Sequence, residues 1–186
     1  KNPNLFLPNK WPTYFSKSKG CKVWDLNNNL YTDMSLMGVG TNILGYCNNE
    51  VDSAVKKAIQ NGNLTTLNCP EEVFLAEKLL SMHLWAGKIK FARTGGEANA
   101  LAIRIARSAS GKENVAFCGY HGWHDWYLAA NLKNRKNLDK HLMPGLDPLG
   151  VPSNLRNTSF GFQYNNINQL KKLVDKENIG IIKMEV

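Results

Sequence analysis

The sequence contains no apolar run approaching the roughly 20 residues that a membrane-spanning helix requires, and residues 1–20 carry no basic-then-apolar leader. The expectation is therefore a soluble, cytoplasmic protein with no membrane partner. Cysteine is sparse. Cys21, Cys47, Cys69 and Cys118 lie far apart with no Cys-x-x-Cys pair, which argues against a disulfide framework and against a structural zinc site. The run Cys118-x-x-His121-x-x-His124 lacks a fourth ligand, so no metal is expected there. Acidic residues are also short in supply: 15 Asp and Glu face 23 Lys and Arg, a formal charge of +8. A basic excess can point to nucleic acid, but here it is dispersed. Lys56-Lys57 and Lys171-Lys172 fall in stretches of helical period, and Lys133, Arg135, Lys136 and Lys140 share one loop, so these read as solvated surface and no nucleic-acid partner is expected. Neither the G-x-x-x-x-G-K-[ST] phosphate loop nor the dinucleotide G-x-G-x-x-G accounts for the glycines of Thr94-Gly95-Gly96-Glu97.

With apolar residues at 43%, the chain can build one substantial core or a large part of one. Residues 1–19, with Pro3, Pro8 and Pro12, read as an extended, irregular arm. Two alternating runs, 21–26 and 30–34, hinge on Asn27-Asn28-Asn29 and predict a hairpin. After the glycine-rich stretch Gly38–Gly45, a helix of about a dozen residues is predicted from Glu50, with Val51, Ala54, Val55, Ala58 and Ile59 on one face. A second helix begins at Pro70, and the two are expected to share a packing layer.

From Lys88 the pattern changes to strand 88–92, helix 96–109, strand 114–118, helix 124–130, strand 158–162, helix 166–177 and strand 179–186. That alternation predicts an α/β fold with a mainly parallel sheet covered by helices. The segment 131–157 has no clear period and reads as a long loop of the kind that often carries function. Ile179–Val186 reads as a strand buried on both faces with no helix after it, so the chain is expected to be incomplete at its C-terminus.

Two places carry chemistry. The turn Thr94-Gly95-Gly96-Glu97 joins a predicted strand to a helix, and glycines there let an anion approach the outward N–H groups of the helix start. The next strand ends on Cys118-Gly-Tyr-His-Gly-Trp-His-Asp125. Ligands collect beyond the carboxyl ends of parallel strands, so a phosphate turn and an aromatic ring at adjacent strand ends suit a flat, phosphorylated ring.

The order Thr94-Gly95-Gly96-Glu97-Ala98, then Tyr120-His121-Gly122, then an apolar strand reaching Glu185, resembles the class III aminotransferase family, on its glutamate-1-semialdehyde aminomutase branch. Val23-Trp24-Asp25, Tyr31, Asp33 and Ile43-Leu44-Gly45 extend the likeness over nearly the whole chain. The resemblance implies a type I fold of pyridoxal 5′-phosphate (PLP) enzymes with helices on both faces of the sheet. It implies a homodimer, with the cofactor at the subunit boundary, acting on a small amino or carbonyl substrate. Thr94, Gly95 and Gly96 would hold the cofactor phosphate and Tyr120 would stack on the pyridine ring. His121 would lie beside that ring and Glu185 would be the acid near the cofactor. Residues 1–48 would be the arm and hairpin of a small domain and 49–186 the first part of the PLP-binding domain. The Schiff-base lysine is expected beyond Val186, because Lys183 sits inside a predicted central strand; no catalytic residue is assigned within the chain. Gly38-Val39-Gly40 and Gly96 depart from the aminomutase pattern, leaving aminomutase and aminotransferase both open, with a non-catalytic assembly module as the alternative.

Overall fold

The computed structural model describes residues 12–141 and 145–185. Two compact units divide the chain, one up to Gly87 and one from Lys88 onward. Among the described residues no helix is long and apolar enough to cross a membrane.

The first unit contains a three-stranded antiparallel sheet of β1 (Phe15–Lys19), β2 (Lys22–Asp25) and β3 (Leu30–Thr32). The predicted hairpin is its β2–β3 half. Residues 15–19 form a strand where irregular chain was expected; residues 1–11 of the expected arm lie outside the described residues. The reason is local: Lys19 pairs with Lys22 across a two-residue turn in which Gly20 takes φ 57°. The strand itself is polar and largely exposed, so alternation gave no sign of it, while the Lys17 ammonium lies 4.7 Å from the Trp24 ring centroid on its partner. Asp25 ties the second turn, accepting hydrogen bonds from the N–H groups of Asn27 and Asn29, the Asn29 amide and the Tyr31 hydroxyl. The Asn29 amide foremost holds its carboxyl below the usual carboxylate range.

Helix α1 (Asn49–Gln60) is capped by the Asn48 side chain, and α2 (Pro70–Met82) starts on the predicted proline. The expected common packing layer is not formed within the described chain. Neither helix buries a residue: Val51, Val55 and Ile59 on α1 and Val73, Phe74 and Leu75 on α2 are all exposed. Periodicity reports that a helix has an apolar face, not what covers it.

The second unit is a parallel sheet in the order β5 (Ser159–Gly161), β4 (Asn114–Cys118), β6 (Ile179–Met184). Helices lie on both faces. On one face Val115, Phe117 and Ile181 pack with Ile103 of α3 (Gly95–Ser110), with Trp126 and Tyr127 of α4 (Asp125–Leu128), and with Leu138. On the other, Ala116, Cys118 and Phe162 receive Leu170 and Leu173 of α5 (Ile167–Lys176). The mainly parallel α/β architecture expected from the alternation is thus present. Segment 88–92 is the exception, forming no strand. It pairs with no strand among the described residues, and a short alternating segment becomes a strand only where a ladder partner takes it up.

Phe117 is fully buried, with its ring centroid 4.9 Å from that of Tyr127, 5.4 Å from His141 and 6.1 Å from Trp126. Phe117→Ala is expected to cost about 3–5 kcal/mol, read as a lower urea midpoint for the full-length protein. A loss below about 1 kcal/mol would show that this ring is not the centre of the core.

Candidate functional site

The first turn of α3 is built from the sequence outward. Thr94 is the N-cap, its Oγ1 accepting the Glu97 N–H at 3.1 Å and its carbonyl the Ala98 N–H at 2.9 Å. Glu97 reaches back to accept the Arg93 N–H at 2.8 Å, a reciprocal arrangement close to a capping box. Those bonds account for the third and fourth N–H groups of the helix. The N–H groups of Gly95 and Gly96 make no hydrogen bond among the described residues, and a Cβ at Gly95 would meet nothing within 4 Å. Two free donors, an open approach and the positive end of a helix of 16 residues make an anion seat.

The loop after β4 closes against that turn. Gly119 (φ 97°) and Gly122 (φ 99°) occupy backbone conformations that favour glycine. A Cβ on Gly122 would lie 2.9 Å from the Cα of Gly96, so the two loops touch backbone to backbone. The Asn99 amide, one turn into α3, donates to the His121 carbonyl at 3.3 Å. Glu185, just past β6, donates its N–H to the Cys118 carbonyl at 3.0 Å and accepts the Tyr120 N–H on Oε2 at 3.1 Å. The α3 start at 94–97, the loop at 119–124 after β4 and Glu185 after β6 therefore meet at one end of the sheet.

Within this arrangement the Tyr120 ring is half-buried and meets Tyr127 edge-on at 5.9 Å between centroids. His121 points inward. It is 3% exposed, its Nε2 donates to the Cys118 carbonyl at 2.8 Å, and its ring lies nearly parallel to that of Trp126. The α3 start with Gly96, the loop that carries Tyr120, and Glu185 thus adjoin at one end of the sheet, while His121 faces the core and pins the loop. Lys183 lies in β6 opposite Phe117, with burial pulling its ammonium pKa down and Glu185 partly opposing that.

Several residues of this assembly carried no signal in the sequence. Tyr127 donates its hydroxyl to the Gly119 carbonyl at 3.0 Å, and burial raises its phenol well above the usual range. The Gly119 N–H donates to Nδ1 of His141 at 3.3 Å, so one residue of the 131–157 segment holds the loop directly. That segment is anchored rather than loose: Leu138 is fully buried, its N–H bonds Oδ1 of Asn131, and the Asn131 amide donates to the Leu146 carbonyl at 2.6 Å. Only Asn99 offered a hint, as a polar residue between alanines on a helix face.

The class III aminotransferase profile matches residues 8–182. The chain belongs to the class III aminotransferases. It is 32% identical over 176 residues to a 3-aminobutyryl-CoA aminotransferase of Cloacimonas acidaminovorans, covering 94% of this chain and 38% of that protein. To a glutamate-1-semialdehyde 2,1-aminomutase of Campylobacter hominis it is likewise 32% identical over 176 residues, with the same coverage of 94% and 38%. An omega-transaminase from Sphaerobacter thermophilus shares the fold at a TM-score of 0.77 and 20% identity, over 95% of this chain and 41% of that one. The class III chain thus spans less than half the length of these relatives.

Burial lowers the pKa of both His121 and His141 from the ordinary 6.5. The folded state then binds fewer protons than the unfolded one, so this contribution to stability is fully present above 6.5 and is lost as pH falls below it. Urea unfolding of the full-length protein at about pH 7.5 and about pH 5.5 is expected to show lower stability at the acid value, with a smaller drop in His141→Gln. Equal drops in both proteins would exclude His141 from the effect.

Proposed function

We propose that the protein containing this chain is a PLP-dependent enzyme that transfers an amino group to or from a small amino or carbonyl substrate. In this reading it is a cytoplasmic homodimer with no nucleic-acid or membrane partner. Residues 1–48 belong to a small domain and 49–186 open the cofactor-binding domain. The observation that carries the proposal is the seating of two free N–H groups, on Gly95 and Gly96, directly against the loop that presents Tyr120.

The residues fit the cofactor. A phosphate needs converging donors at a helix start, and Gly95 and Gly96 offer them with no Cβ in the way at 95. A flat ring needs an aromatic face beside the phosphate, and Tyr120 is half-buried on the adjoining loop. When bound, PLP supplies an electron sink for a carbanion beside the transferred amine. The chain's own share is binding and orientation. Thr94 and Glu97 fix the turn so that the two glycine N–H groups point outward, at no reorganisation cost when the anion arrives. Glu185 holds the Tyr120 backbone, while His121 and Tyr127 hold the residues on either side of it. The backbone that carries Tyr120 is thus held by hydrogen bonds from three side chains. The lysine that would bond the cofactor covalently lies, in this reading, beyond Val186.

The full-length protein is expected to bind PLP with a visible absorption band that borohydride abolishes. Gly95→Asp, which places a carboxylate on the anion seat, should weaken PLP binding at least about ten-fold, or ~1.4 kcal/mol. Tyr120→Ala should weaken it by about ~0.5–1.5 kcal/mol, the worth of one ring contact. A folded full-length protein that never takes up PLP overturns the proposal. Turnover of glutamate-1-semialdehyde without an amine donor would identify a mutase, and dependence on a donor a transferase.

A further inference from the structure

Position 96 is kept free of a side chain by the loop that follows β4. A Cβ on Gly96 would meet Cδ2 of His124 at 2.8 Å and Nε2 at 3.0 Å. The imidazole therefore stands in the volume that any side chain at 96 would enter, and its Nε2 edge comes to the first turn of α3. That turn also carries the free N–H groups of Gly95 and Gly96.

Nothing local employs the ring's polar atoms. His124 is the N-cap of α4, yet its side chain caps no N–H there, and its nitrogens have no hydrogen-bond partner among the described residues. Its ring neighbour is Trp123, with centroids 5.1 Å apart. His124 is half-buried against this turn with its polar atoms unused. On its other side the ring lines a cavity with Arg104 and Arg107 of α3 and Asp125 of α4, two cations to one anion, which favours a negatively charged group near the ring.

We propose that His124 is a further phosphate-binding residue: from the loop after β4 its imidazole N–H gives the anion at the α3 start the side-chain donor that glycine at 96 cannot. Gly96 and His124 are then one device. The glycine admits the ring, and the ring supplies the hydrogen bond. The inference rests on the cofactor reading above for the identity of the anion, but not for the existence of the seat.

The test uses the full-length protein. PLP affinity is measured by equilibrium dialysis, and inorganic phosphate binding to the cofactor-free protein by titration. His124→Phe keeps a planar ring without its N–H groups, and should weaken both ligands about ten-fold. His124→Gln keeps a donor of similar reach and should stay within about three-fold of wild type. His124→Ala with Gly96→Ser, which moves the donor onto the helix turn, should regain most of what His124→Ala alone loses. The phosphorus resonance of bound PLP should shift in His124→Phe and less in His124→Gln. Wild-type affinity in His124→Phe, or equal losses in the Phe and Gln variants, overturns the inference while leaving PLP binding intact. Phosphate binding that depends on His124 in a protein that refuses PLP upholds the inference and removes the cofactor reading. Failure to bind either ligand removes both.

Discussion

The contact of Gly122 on Gly96 is the constraint around which the second unit's ligand end is organised. A helix start and a strand-end loop can approach backbone to backbone only where neither carries an obstructing Cβ, and a Cβ on Gly122 would sit 2.9 Å from the Gly96 Cα. Every proposed site element is referred to that approach. It brings the α3 helix start beside the residues that carry Tyr120, lets Asn99 reach the His121 carbonyl, and leaves His124 over position 96. An anion seat and an aromatic face on one end of a sheet would otherwise be two unrelated features. Their separation is set by main-chain packing, which is stiffer than any side-chain contact could be.

The polar groups behind the loop serve the same end. Gly119 gives its N–H to His141 and receives the Tyr127 hydroxyl on its carbonyl, so both sides of a single glycine are tied down. Buried donors and acceptors left unpaired are costly, and here the cost of burying Tyr127, His121 and His141 is offset by fixing one loop. Site rigidity and core integrity are therefore the same property in this unit: Phe117 touches His121, Trp126, Tyr127 and His141 at once.

Much of this was legible in the residues. The α/β alternation from Lys88, the helix that opens at Gly95 and the buried strand at 114–118 follow from period and burial, because a strand flanked on both sides and covered on both faces is uniformly apolar. Segment 179–184 is also a strand, but among the described residues it is an edge strand with Ile182 and Met184 exposed, not buried on both faces as expected. That the loop after 118 and the residues after 184 lie at the same end of the sheet was likewise readable from parallel strand order. What escaped was set by tertiary neighbours. β1 is a polar strand whose only signal is its partner, segment 88–92 is an alternating segment without one, and the shared layer of α1 and α2 required a covering surface that their sequences do not specify. The inward turn of His121 was hidden for the same reason: a histidine after a strand reads alike whether it faces ligand or core. His141 could not be found at all, since nothing in a loop sequence says which backbone N–H its ring will meet.

The order of the sheet, β5-β4-β6, also has a meaning in time. The central strand is the first of the three to leave the ribosome, and neither neighbour is beside it in sequence. From Cys118 the chain must run on to Ser159 before one edge of β4 can pair, and to Ile179 before the other can. Until then Val115, Ala116, Phe117 and Cys118 have no ladder, although all four end up buried. Parallel pairing of this kind closes long loops before it is rewarded, and so it forms late. The helix start and the loop that meet at Gly96 and Gly122 are both made earlier than β6 and the Glu185 that follows it, so this end of the sheet takes its final form only when β6 docks.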